Sequence, residues 1–127
     1  MPEQKRILIV EDESDMAFAV RLQLEAAGFS VDVAVDGKEG LEKARRLKPD
    51  LIILDNMLPK MDGYRVCRML KFDERYKHIP IIMLTARAQK NDEAVGFEVG
   101  VNAYITKPFD PKALLSKIKN LIAPVSP

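Results

Sequence analysis

Three runs of four apolar residues, Ile7–Val10, Leu51–Leu54 and Ile81–Leu84, constrain this chain more than any other feature. Each is too short for an ordinary helix and fits a strand buried on both faces, as in a parallel sheet covered by helices. Each also runs into polar residues: Glu11-Asp12, Asp55 and Thr85 respectively. Ala103-Tyr104-Ile105 is a shorter strand that ends at Thr106-Lys107-Pro108. Val31, Val33 and Val35 alternate with Asp32 and Ala34, the pattern of a less fully covered edge strand.

Helical patterns fill the intervals. Ser14 is a good N-cap for a helix with Met16, Val20 and Leu24 at four-residue spacing, joined by Ala19 and Ala27 and stopped by Gly28. Asp36 with Glu39 resembles a capping box, and Leu41, Ala44 and Leu47 give the next helix its apolar stripe before Pro49 bars continuation. Asp62-Gly63 opens a helix with Val66 and Leu70 inward, and the polar stretch from Phe72 to His78 reads as an extended surface loop. A weaker periodicity predicts a helix over 88–99. The last helix is the clearest: Asp110 caps it, Pro111 takes the first position, and Leu114, Leu115, Ile118, Leu121 and Ile122 form its inner face. Strand and helix thus alternate five times with short connections, which predicts right-handed βαβ units and an α/β, doubly wound parallel sheet.

Composition bounds the function. The chain has 127 residues, enough for one domain, assigned here to 1–123 with 124–127 as a tail or the start of a linker. The net charge of +1 gives no basic excess for nucleic acid. Cys67 is the only cysteine, so no internal disulfide can form, which fits a cytoplasmic protein. No apolar run approaches the roughly 20 residues of a membrane span.

A parallel sheet places all strand ends on one rim. Glu11, Asp12 and Asp55 would then meet Thr85 and Lys107 in one cleft. Two like charges about 4 Å apart repel by roughly 4 kcal/mol at an effective dielectric near 20, so three carboxylates need a cation. Hard oxygen ligands without nearby His or Cys favour Mg²⁺ over zinc, with Mn²⁺ able to substitute. Mg²⁺ held by a few carboxylates commonly binds phosphate too. Lys107 offers a point charge, and Thr85 a hydroxyl, for phosphoryl oxygens. Asp55, the central acid, is positioned to act as a nucleophile that forms an aspartyl phosphate.

The stretches Ile-Val-Glu11-Asp12, Leu-Asp55-Asn-Met-Leu-Pro59-Lys-Met-Asp62-Gly63, Leu-Thr85-Ala86 and Tyr104-Ile-Thr-Lys107-Pro108-Phe109 together resemble the receiver domain of bacterial two-component response regulators. The resemblance runs from about Lys5 to Ile122. It implies a flavodoxin-like, five-stranded parallel sheet of order 2-1-3-4-5 flanked by five helices. It also implies that Asp55 accepts a phosphoryl group from a sensor histidine kinase or histidine phosphotransfer protein. Mg²⁺ would be held by Asp12 and Asp55, by Glu11 through water, and by the backbone carbonyl of Met57. Thr85 and Lys107 would hold phosphoryl oxygens, the Lys107–Pro108 bond would be cis, and Tyr104 would turn inward as Thr85 moves. The switched face would comprise the fourth helix, fifth strand and fifth helix, and would control an output domain or protein. The chain itself would be a monomer or a phosphorylation-dependent dimer, with no direct contact to nucleic acid or membrane.

Two departures and one variable position bear on this. Glu11 stands where Asp is frequent but keeps the charge. Arg87, two residues past Thr85, is placed to modulate hydrolysis. Asn102-Ala103 replaces a commonly acidic pair and Ala113 a common Glu, which disfavours the paired-charge dimer of winged-helix regulators. Residues 64–80 are similar to those of stand-alone receivers and of receivers joined to cyclic-dinucleotide synthases. Two other readings compete. An aspartate-nucleophile phosphohydrolase would need a second acid two residues after Asp55, where Met57 stands. A pseudo-receiver acting only as an interaction module would lack one of Asp12, Asp55, Thr85 or Lys107, and all are present.

Overall fold

The computed structural model describes residues 4–85 and 100–122. Five parallel strands, β1 (Arg6–Val10), β2 (Ser30–Ala34), β3 (Leu51–Asp55), β4 (Ile81–Thr85) and β5 (Ala103–Thr106), form one sheet of order β2-β1-β3-β4-β5. Among the described residues four helices accompany them: α1 (Ser14–Ala26), α2 (Gly37–Leu47), α3 (Gly63–Lys71) and α4 (Pro111–Leu121). The anticipated helix over 88–99, Arg87, and the tail from Ala123 lie outside the described residues.

Strand alternation divides the core in two. Leu8, Val10, Ile52, Leu54, Ile81 and Met83 face α2 and α3, where they meet Leu41, Ala44, Val66, Cys67 and Leu70. Ile7, Ile9, Leu51, Ile53, Ile82 and Leu84 face α1 and α4, where they meet Val20, Leu24, Leu114 and Ile118. β3 and β4 are buried along their whole length, as their unbroken apolar runs require. β2 lies at the sheet edge and is only partly covered. Its outer side is tied to α2: Lys43 Nζ donates to the Val33 carbonyl at 2.6 Å and Val35 N–H donates to Glu39 Oε1 at 3.2 Å.

Helix boundaries follow the capping residues, with corrections. Asp36 accepts from Glu39 N–H, Asp62 from Arg65 N–H and Asp110 from Lys112 N–H. The reciprocal arm of the expected capping box reaches Val35 N–H rather than Asp36 N–H. Ser14 is not a cap: α1 begins at Ser14, and Glu13 precedes it with no side-chain capping bond. Ala17 rather than Ala19 completes the buried stripe of α1, because Ala17 lies three residues before Val20 while Ala19 and Ala27 face solvent. Residues 72–78 are not an extended loop. They form successive turns with Tyr76 in the core, followed by the buried Ile79, and Lys71 Nζ donates to the carbonyls of Lys77 and Ile79.

Candidate functional site

The site lies at the carboxyl ends of β1, β3, β4 and β5. Parity decides which side chains meet there. Glu11, Asp55 and Lys107 continue the Ile7-Ile9, Leu51-Ile53 and Ile105 alternation, so they emerge on the α1/α4 side of the sheet. Thr85 and Tyr104 share the opposite parity with Met83. The register pairs Met83 with Tyr104 and Thr85 with Thr106, so Thr85 and Tyr104 are diagonal neighbours on one face.

Lys107 Nζ donates to Glu11 Oε1 and to Asp55 Oδ2, both at 2.8 Å. Lys107 N–H also donates to the Thr85 carbonyl at 2.6 Å, which fixes the start of its loop on the end of β4. The Lys107–Pro108 peptide bond is cis. Asp12 is exposed, yet its carboxylate completes a group with Glu11 and Asp55 whose oxygens lie within 4.8 Å of one another. Among the described residues no other three His, Cys, Asp or Glu side chains converge in this way. Asp55 Oδ1 accepts from Met57 N–H at 3.0 Å, which draws the backbone of Met57 beside the carboxylate while its side chain stays 72% exposed.

Burial shapes the electrostatics. Glu11 is only 1% exposed, and this burial pushes its carboxyl up to about 7. The bond from Lys107 opposes the rise, while Asp55 adds to it. Burial alone would lower the Lys107 ammonium, but its bonds to Asp55 and Glu11 outweigh that and raise it. Lys107 therefore stays charged and partly neutralises two acids at once. Thr85 Oγ1 is buried and has no hydrogen-bond partner among the described residues. A buried hydroxyl left unpaired costs about 1–3 kcal/mol.

The donor set fits a hard divalent cation. Three carboxylates supply oxygen only, and one of them reaches solvent, which leaves room for water or phosphate on the ion. Glu11, Asp12 and Asp55 are the residues that would hold it. Lys107 joins the acids by direct bonds, whereas Thr85 stands at the end of β4 with its side chain on the opposite face of the sheet and no bond to them. Tyr104 is half-buried and packs on the α2/α3 side core, one strand step further in. His78 is exposed, in the 72–78 turns. Cys67 is fully buried in α3, with its thiol pushed up to about 12 by burial.

In sequence, Gly63 signals only the opening of a helix after the Asp62 cap. A Cβ there would overlap the Asp55 carbonyl oxygen, so the glycine lets α3 start directly behind the acid.

The family model for the response regulator receiver domain matches residues 7–119. The DNA-binding dual master transcriptional regulator RpaA of Synechocystis sp. is 47% identical over 117 residues, covering 92% of this chain and 48% of that protein. The alkaline phosphatase synthesis transcriptional regulatory protein PhoP of Bacillus subtilis is 42% identical over 118 residues, covering 93% and 48%. The chain thus spans about half the length of the curated relatives it matches. Among solved structures, the chemotaxis response regulator CheY4 of Vibrio cholerae superposes with a TM-score of 0.89 at 32% identity, covering 94% of this chain and all of that one.

Proposed function

This chain belongs to the response regulator receiver domain family, the phosphorylation-activated switches of two-component systems, and on that premise we propose that Asp55 is its phosphoacceptor. The observation that carries the reading is the convergence of Glu11, Asp12 and Asp55 within 4.8 Å, with Lys107 bonded to two of them. Such a cluster holds an acid at a strand end that can attack phosphorus, beside a cation site and a fixed amine.

An Asp55 carboxylate oxygen attacks the phosphorus of a phosphohistidine or a small acyl phosphate. The new P–O bond forms as the bond to the leaving group breaks. Asp12, Asp55, the Met57 carbonyl and, through water, Glu11 would hold Mg²⁺, whose charge would offset that of the phosphoryl oxygens. Lys107 pairs with one phosphoryl oxygen, and Thr85 Oγ1 donates to another. That movement of Thr85 opens the space into which Tyr104 turns, on the face they share. Water later attacks the phosphorus, inorganic phosphate leaves, and the carboxylate of Asp55 is restored. Catalysis in both directions is positioning and charge neutralisation. The chain therefore catalyses only its own phosphoryl uptake and loss. Its donor is a histidine kinase or phosphotransfer protein, and its output runs through a further domain or protein. Its curated relatives are named as transcriptional regulators about twice its length, so a DNA-binding output domain is one form that partner takes. Within the described residues no helix is long and apolar enough to cross a membrane, in keeping with action beside a kinase's cytoplasmic portion.

The test is mass spectrometry of the intact chain with a small acyl phosphate and Mg²⁺. One phosphoryl group should be gained, and none in Asp55→Asn or with the metal chelated. Sustained hydrolysis of unrelated phosphate esters would instead favour an aspartate-nucleophile phosphohydrolase.

A further inference from the structure

We propose that Gly37, at the start of α2, is a positioning residue for the cation. It holds the β3–α3 loop so that the Met57 carbonyl faces the acids. The inference rests on the reading of Met57 as a metal ligand, and extends the site to a helix that contributes no ligand.

The loop from Asn56 to Asp62 is fixed at both ends. Asn56 N–H donates to the Leu84 carbonyl at 3.0 Å and Gly63 N–H to the Asn56 carbonyl at 3.1 Å. Beyond Met57, Met61 N–H closes a tight turn on the Pro59 carbonyl at 2.8 Å, and Lys60 sits at φ 68°, in the left-handed region. Between those fixed ends the loop also meets α2. Gly37 N–H, a first-turn donor with no partner inside its helix, points to the Pro59 carbonyl at 3.3 Å. Asp36, which caps α2 through Glu39 N–H, also lies 3.6 Å from Lys60 Nζ.

The approach depends on glycine. A Cβ on Gly37 would overlap the Met61 carbonyl oxygen, and that backbone could yield only by moving the loop. Gly37 has no need of glycine for its backbone angles, since it is an ordinary helical residue. Contact with the loop is the reason for its identity. Gly40, one turn on, provides the matched contrast. A Cβ there would lie 2.7 Å from Val10 Cγ1, a side-chain contact with the sheet and not with the loop.

The experiment titrates Mg²⁺ into wild type, Gly37→Ala and Gly40→Ala, following backbone amide spectra, with the metal-free melting temperature of each as a control for folding. Gly37→Ala should weaken Mg²⁺ at least tenfold. Gly40→Ala should lower the melting temperature yet bind Mg²⁺ within twofold of wild type. Should Gly37→Ala fail to fold, wild type decides: saturating Mg²⁺ should shift the Gly37 amide resonance, whose N–H faces the loop at the Pro59 carbonyl, and leave that of Gly40 in place. A Gly37 amide that Mg²⁺ leaves unmoved overturns the proposal. Equal Mg²⁺ affinities for folded Gly37→Ala and Gly40→Ala overturn it too. Absence of saturable binding in wild type would overturn the metal site itself, and this inference with it.

Discussion

Lys107 Nζ lies 2.8 Å from Asp55 Oδ2, although 52 residues separate the two in the chain. The sheet brings them together by ending β3 and β5 on the same rim with the same parity. One amine thereby stands between Asp55 and the buried Glu11.

The first consequence concerns pH. Glu11 is raised to about 7 in the folded chain from 4.5 when unfolded, chiefly by burial. Between those values the folded state binds the extra proton, so stability falls as pH rises through that window. Lys107, raised above 10.5, contributes stability that is present throughout this range and lost only above it. Metal-free protein should therefore lose stability between about pH 5 and pH 7.5, and Glu11→Gln should flatten that slope. Urea unfolding at a series of pH values measures it, and parallel curves for the two proteins would contradict the prediction.

Cation binding relieves the same repulsion. Mg²⁺ at 100 times its dissociation constant should add about 2.7 kcal/mol to the unfolding free energy. The added stability should shrink in Asp12→Asn. Thermal unfolding with and without millimolar Mg²⁺ checks this, and an unmoved midpoint would mean that the acids do not act together.

Thr85 carries a buried hydroxyl without a partner among the described residues. Thr85→Val keeps the shape and removes the unpaired group, so the unphosphorylated protein should be as stable as wild type or up to about 2 kcal/mol more stable. The same variant should take up phosphate without the accompanying change in the environment of Tyr104, read from its ring resonances. A loss of stability in chemical denaturation would show that the hydroxyl already has a structural role.

Cys67 is fully buried, and its thiol is held at about 12. Thiol reagents at neutral pH should modify it only as fast as the chain unfolds. Labelling that is rapid in the native state and unaffected by a stabilising dose of Mg²⁺ would contradict its placement in the core.

The sheet was legible because β3 and β4 are buried on both faces, and a strand so placed has no polar alternation to obscure it. The four strand ends were legible for the same reason: polar residues stand out where an apolar run stops. Local bonding chemistry was read less well. Ser14 has the chemistry of a cap, but Glu13 occupies that place, because helix starts shift by a residue without altering composition. Residues 72–78 are polar in sequence, yet Tyr76 and Ile79 turn inward and Lys71 ties the turns to α3, a folding-back that periodicity does not report. The bridging role of Lys107 was out of reach for a different reason. Sequence suggests that an amine shares the rim, while only strand parity shows that it meets Glu11 and Asp55 together. Gly37 was likewise hidden, since its partner is the backbone of a loop more than twenty residues away.

The central claim is that Asp55, among three neighbouring carboxylates, receives the phosphoryl group. Treating the phosphorylated chain with borohydride reduces the acyl phosphate to an alcohol and marks the acid permanently for peptide mass mapping. The mark should fall on Asp55 alone and should vanish when Mg²⁺ is chelated. A mark on Glu11 or Asp12, or phosphate retained without any reducible acyl linkage, would contradict the account.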